Sequence, residues 1–149
     1  MLFRSSGFQK KGNDSVGVAK QYCGSIGKVE NCQVGVFAGY ASPKGYSLVD
    51  KRLFIPEKWF TEDYEIKRKK CRVPETLSFK TKPQLAVEML QGIEGEKILP
   101  FKYVLADSLY GTSPEFIEAV EKCTGITYFV SIASDTRCWL KMPVLIEKE

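Results

Sequence analysis

Histidine is absent from all 149 residues, and that absence excludes more chemistry than any single residue present suggests. It removes Ser/His/Asp and Cys/His nucleophile pairs, the HExxH helix of metalloproteases and every zinc site that uses imidazole. Acid–base or metal chemistry must then use carboxylates, lysine, tyrosine or cysteine. Cysteine is sparse and scattered: Cys23, Cys32, Cys71, Cys123 and Cys138 are odd in number and form no CxxC pair. Neither a disulfide framework nor a zinc knuckle is indicated, and reduced thiols are the simpler account. The amino-terminal Met1-Leu2-Phe3 gives way at once to Arg4, Ser5 and Ser6, so no signal peptide or membrane span is read. A soluble, cytoplasmic protein is expected. No internal repeat or low-complexity tract is visible.

What is present is 44% hydrophobic residues, enough for one globular core, so 1–149 is read as one domain or part of one. The net charge of +4 and an isoelectric point near 8.7 are compatible with a nucleic-acid partner without establishing one. Two strand-like runs, Gln33 to Tyr40 and Tyr46 to Ile55, flank Ser42-Pro43-Lys44-Gly45, and this spacing predicts a β-hairpin. An earlier piece, Asp14 to Tyr22, has the alternation of a further extended segment. Residues 56–82 form a charged, aromatic stretch without a clean period, read as an irregular connection containing a short helix. Pro83 then opens a helix with Leu85, Ala86, Met89 and Leu90 at helical spacing, expected to close at Gly92 or Gly95.

The run Phe101 to Ala106 is a short apolar strand that ends on Asp107. Ser113 is a good N-cap with Pro114 behind it, Phe116, Ile117 and Val120 share a face, and Gly125 precedes a second apolar strand, Ile126 to Ile132. Strand, helix and strand predict a parallel βαβ unit. With the hairpin before it, this makes an α/β fold with a mixed sheet and flanking helices. Groups at the carboxyl end of such a strand project into the crevice where ligands bind, which makes Asp107 the candidate catalytic and metal-ligating residue. The competing reading is turn hydrogen bonding ahead of the helix.

The basic residues also have two readings. Lys10, Lys11, Lys20 and Lys28 could meet phosphates, and Lys67, Arg68, Lys69, Lys70 and Arg72 could track a DNA backbone. Glu62, Asp63 and Glu65 partly neutralise the second group, so a solvated charged face is the alternative. Trp59 and Tyr64 read as core or cover residues rather than base-stacking platforms.

Several blocks occur in a recognisable order: Ser6-Gly7-Phe8-Gln9-Lys10-Lys11-Gly12, Ser15 to Gly24, Gly27 to Val34, Ala41 to Gly45, Leu53 to Pro56, Thr81-Lys82-Pro83, Ala106 to Gly111 and Asp135 to Leu140. Together they resemble the amino-terminal half of the catalytic core of bacterial insertion-sequence transposases of the DDE superfamily, within it the IS701 group. The resemblance implies a ribonuclease H-like fold in which three acids hold two divalent metal ions, usually Mg2+, for metal-assisted cleavage and transfer of DNA strands. It makes Asp107 the family's second acid and the ends of an insertion sequence the DNA partner.

The resemblance also exposes departures. The family's first acid ends a strand whose equivalent here is Leu2-Phe3-Arg4-Ser5, which puts Arg4, or else Ser5, at that position. Arginine cannot ligate magnesium and adds positive charge where cations must sit. The third acid is expected on a helix beyond the βαβ unit, and Glu147 and Glu149 do not match its motif. The expectation is therefore a partial catalytic domain over 1–149, incomplete at its carboxy-terminal side and not an active enzyme by itself. The alternative is a non-catalytic module that binds DNA, itself or full-length transposase as a regulator. An unrelated α/β protein using Asp107 in phosphoryl chemistry is a third reading.

Overall fold

The computed structural model describes residues 1–137 and Lys141. Its strands are β1 (Leu2–Gln9), β2 (Ala19–Cys23), β3 (Lys28–Ser42), β4 (Gly45–Phe54), β5 (Tyr103–Ala106) and β6 (Thr127–Val130). They form one mixed sheet in the order β2-β3-β1-β5-β6, with β4 also paired to β3. Strands β1, β2 and β4 run antiparallel to β3, while β1–β5 and β5–β6 are parallel. The helices are α1 (Glu65–Lys70), α2 (Lys82–Glu96), α3 (Ser108–Gly111) and α4 (Pro114–Glu121).

The expected hairpin forms, and its first strand is much longer than composition marked, because β3 starts at Lys28 and serves three partners. Ser42 pairs with Gly45 across a turn of Pro43 and Lys44. Alternation along the strands puts Phe3, Val36, Ala38, Val104 and Ala106 in the same buried cluster as Leu85, Met89 and Leu90 of α2 and Phe116 and Val120 of α4.

Helix α2 starts where expected, with a capping box between Thr81 and Gln84 and Pro83 in the first turn. It does not stop at either glycine. Both Gly92 and Gly95 face open space, so each costs only helix propensity, and the helix ends at Lys97 in the left-handed conformation (φ 53°). Helix α4 is capped by the Ser113 hydroxyl, which accepts from the Phe116 N–H at 3.4 Å. The Phe116 ring meets Phe3 edge-on at 5.5 Å and Tyr110 at 5.4 Å, which ties α3, α4 and β1 together.

The opposite face of the sheet carries Leu48, Gly39, Leu2, Leu105 and Phe129 in register across β4, β3, β1, β5 and β6. Its large side chains, Leu2, Leu48, Leu105 and Phe129, are exposed. Among the described residues no helix is long and apolar enough to cross a membrane. Cys138, Trp139 and Leu140 of the last resemblance block, and Glu147 and Glu149, lie outside the described residues.

Phe116 is fully buried between β1 and α3, so Phe116→Ala is expected to cost about 3–5 kcal/mol in chemical denaturation. A loss below about 1 kcal/mol would mean that α4 is not docked on the sheet in this way.

Candidate functional site

Strand β5 ends at Ala106, and Asp107 is the N-cap of α3, its Oδ1 accepting from the Leu109 N–H at 3.1 Å. The turn-chemistry reading is thus present in the structure, and the carboxylate remains partly exposed beside a hollow of about 520 Å³. Arg4, Leu105, Phe129 and Ser131 line the same hollow. The short α3 sits close on the end of β6: a Cβ at Gly111 would collide with the Ser131 carbonyl oxygen, so only glycine permits this approach.

The parallel register decides what stands beside Asp107. Leu2 is opposite Leu105 and Phe3 opposite Ala106, so the next residue, Arg4, comes abreast of Asp107. Strand β1 does not end there. It continues to Gln9, which leaves Arg4 exposed in mid-strand rather than at a strand terminus.

On the core side of Asp107 lie Tyr110 and Lys82, neither of which sequence reasoning had assigned to the site. Tyr110 is fully buried, and its hydroxyl has no hydrogen-bond partner among the described residues. The Ser5 side chain faces it and favours its ionisation slightly, but burial and then the Asp107 charge push that ionisation well above the ordinary tyrosine range. Lys82, the first residue of α2, is half buried, and its ammonium lies 5.0 Å from the centre of the Phe54 ring. Burial lowers its pKa, opposed by the charge of Cys32 where that thiol ionises and by the Asp107 carboxylate. Cys32 itself is pushed up to about 11, mainly by burial, so it is a neutral core thiol at ordinary pH.

Two divalent cations need several hard oxygen donors. Among the described residues no three Asp, Glu, Cys or His side chains converge, and the position beside Asp107 carries a guanidinium. Among the described residues the donor set around Asp107 does not fit a divalent metal pair.

The basic residues divide sharply. Lys10, Lys11, Lys20 and Lys67 line one cleft of about 650 Å³, together with Lys58, which the sequence had not singled out, and Glu30. The others do not share it. Lys28 pairs with Glu30 at 3.5 Å, Lys69 with Glu65 at 2.6 Å and Lys70 with Asp14 at 2.7 Å. Arg68 donates to the Trp59 and Thr61 carbonyls at 2.5 and 2.9 Å, and Arg72 borders a separate hollow with Lys69. Trp59 is fully buried and donates its indole N–H to the Val18 carbonyl at 3.0 Å, a core residue as expected.

Comparison with known proteins gives a consistent picture. The sequence profile described as DDE superfamily endonuclease matches residues 5–149. A probable transposase for insertion sequence element IS701 from Microchaete diplosiphon is 29% identical over 140 residues, which cover 91% of this chain. The chain spans only 32% of that relative's length. No solved structure matches.

An unpaired buried hydroxyl costs about 1–3 kcal/mol, so Tyr110→Phe is expected to raise unfolding stability by about 1 kcal/mol at neutral pH. Because the folded-state pKa is raised, the neutral phenol's contribution is intact below the unfolded value of about 10 and is lost as pH climbs through the raised value. Denaturant melts from pH 8 upward should therefore show an alkaline fall in the unaltered chain that is smaller in Tyr110→Phe. A destabilised Tyr110→Phe would mean that the hydroxyl has a partner.

Proposed function

The chain belongs to the DDE superfamily endonucleases, and we propose that it represents the part of an IS701-type transposase core that carries Asp107 as the second catalytic acid on a ribonuclease H-like sheet. The observation that supports this reading most is the position of Asp107 at the carboxyl end of β5, beside the parallel neighbour β1. In this reading Arg4 takes the place of the first acid. Its DNA partner is the end of an insertion sequence, met in the cytoplasm.

Endonucleases of this superfamily generally use divalent metals, and magnesium is the ion suited to a carboxylate site. With Arg4 abreast of Asp107 the site disfavours such ions, since a fixed cation repels them and supplies no lone pair. The chain then engages insertion-sequence DNA without cutting it. A regulatory role, acting on DNA ends or on full-length transposase, is favoured over catalysis by the same arginine.

The test is a nicking assay on supercoiled donor DNA with magnesium. No cleavage is expected above the protein-free control. Cleavage that disappears in Asp107→Asn would overturn the inactive reading and restore Asp107 to a working site.

A further inference from the structure

The lysine cleft is assembled from two segments that are far apart in sequence. One wall is the loop that leaves β1 at Lys10 and returns through Lys20 of β2; the other is the stretch from Lys58 to Lys67. Several contacts hold the walls in place. Asn31 accepts the β1 end and clamps it: its carbonyl takes the Lys10 N–H at 2.9 Å, while its amide donates to the Lys10 carbonyl at 2.8 Å and the Gly12 carbonyl at 3.1 Å. Across the cleft, Trp59 holds Val18, Lys70 pairs with Asp14, and the Cys71 thiol donates to the Asp14 carbonyl at 2.9 Å.

Charge in the cleft is unbalanced. Its lysines, Lys10, Lys11, Lys20, Lys58 and Lys67, form no ion pair among the described residues, and Glu30 is the carboxylate in the wall. An excess of cations gathered at one cleft attracts an anion. The aromatic groups there are already engaged: the Lys67 ammonium lies 4.9 Å from the Trp59 ring centre and 5.2 Å from that of Tyr64, Lys58 lies 5.9 Å from Tyr64, and the Trp59 and Tyr64 rings are 5.6 Å apart. Stacking of unpaired bases needs a free ring face, so the cleft suits phosphates rather than bases.

We propose that this cleft binds the phosphate backbone of duplex DNA. The inference rests on the DNA-processing reading above and adds to it the place and the form of the nucleic acid. Strand β1 runs from Arg4, beside Asp107, to Gln9 at the cleft, a rise of about 17 Å at 3.3 Å per residue. That is about five base-pair steps of 3.4 Å, so one duplex laid along this end of the sheet reaches both places.

The test is a fluorescence-anisotropy titration of labelled 30-base-pair duplex and of the matching single strand, at several salt concentrations. It uses the unaltered chain, a Lys10→Ala/Lys20→Ala/Lys67→Ala variant and a Lys44→Ala/Lys51→Ala control, whose lysines are on the hairpin outside the cleft. Circular dichroism checks that all three are folded. The proposal expects the triple variant to bind duplex at least tenfold more weakly, with the slope of log affinity against log salt reduced by about three, and the control to lose less than twofold. Equal losses in control and triple variant, or none in either, with duplex binding otherwise intact, would overturn the cleft and leave the family reading standing. Tighter binding of the single strand than of the duplex would overturn the duplex assignment. No binding of either by the unaltered chain would overturn both this inference and the DNA-processing reading.

Discussion

The parallel pairing of β1 with β5 is the constraint on which the site depends. Hydrogen-bonded strands cannot slide by one residue without reversing every side chain between the two faces of the sheet. Phe3 is fully buried against Phe116, and Ala106 belongs to the same core, so the register Phe3 opposite Ala106 is fixed by packing. Once it is fixed, Arg4 has to stand abreast of Asp107. The chemistry of the site follows from a decision made in the core.

The same strand sets the position of the lysine cleft. Strand β1 is long enough to carry the chain from Arg4 to Gln9, and Asn31 on β3 holds its exit, so Lys10 and Lys11 are presented at the end of the sheet to which Asp107 also belongs. Charge and packing therefore share one scaffold. Around Asp107 the groups are arranged with some cost, since Tyr110 buries a hydroxyl with no partner among the described residues and Lys82 a desolvated ammonium nearby. Such local costs are common where structure serves binding or chemistry rather than stability.

Much of this was legible in the sequence because the signals were local. The hairpin announced itself through Pro43 and Gly45, α2 through Thr81 and Pro83, α4 through Ser113 and Pro114, and Asp107 through its place between an apolar strand and a helix. Two glycines misled at the end of α2, because a glycine in open space lowers helix propensity without breaking the hydrogen-bond ladder. The rest was long-range. Nothing in the run Lys67-Arg68-Lys69-Lys70 reveals that Lys67 faces Lys10 while its neighbours bind Glu65, Asp14 and backbone carbonyls; that division depends on α1 docking beside the Asp14 loop. Lys58 carried no sequence signal, and Tyr110, although inside the block Ala106 to Gly111, gave no sign of its burial beside Asp107, since both acquire their roles only from what surrounds them.

In the proposed reading a single guanidinium, that of Arg4 placed by register, keeps divalent metal away from Asp107. A manganese titration followed by electron paramagnetic resonance tests it directly, comparing the unaltered chain with Arg4→Asp and with Arg4→Asp/Asp107→Asn. No bound manganese is expected in the unaltered chain, with at least tenfold tighter binding in Arg4→Asp and its loss when Asp107 is also replaced. Binding by the unaltered chain as tight as that of Arg4→Asp would contradict it.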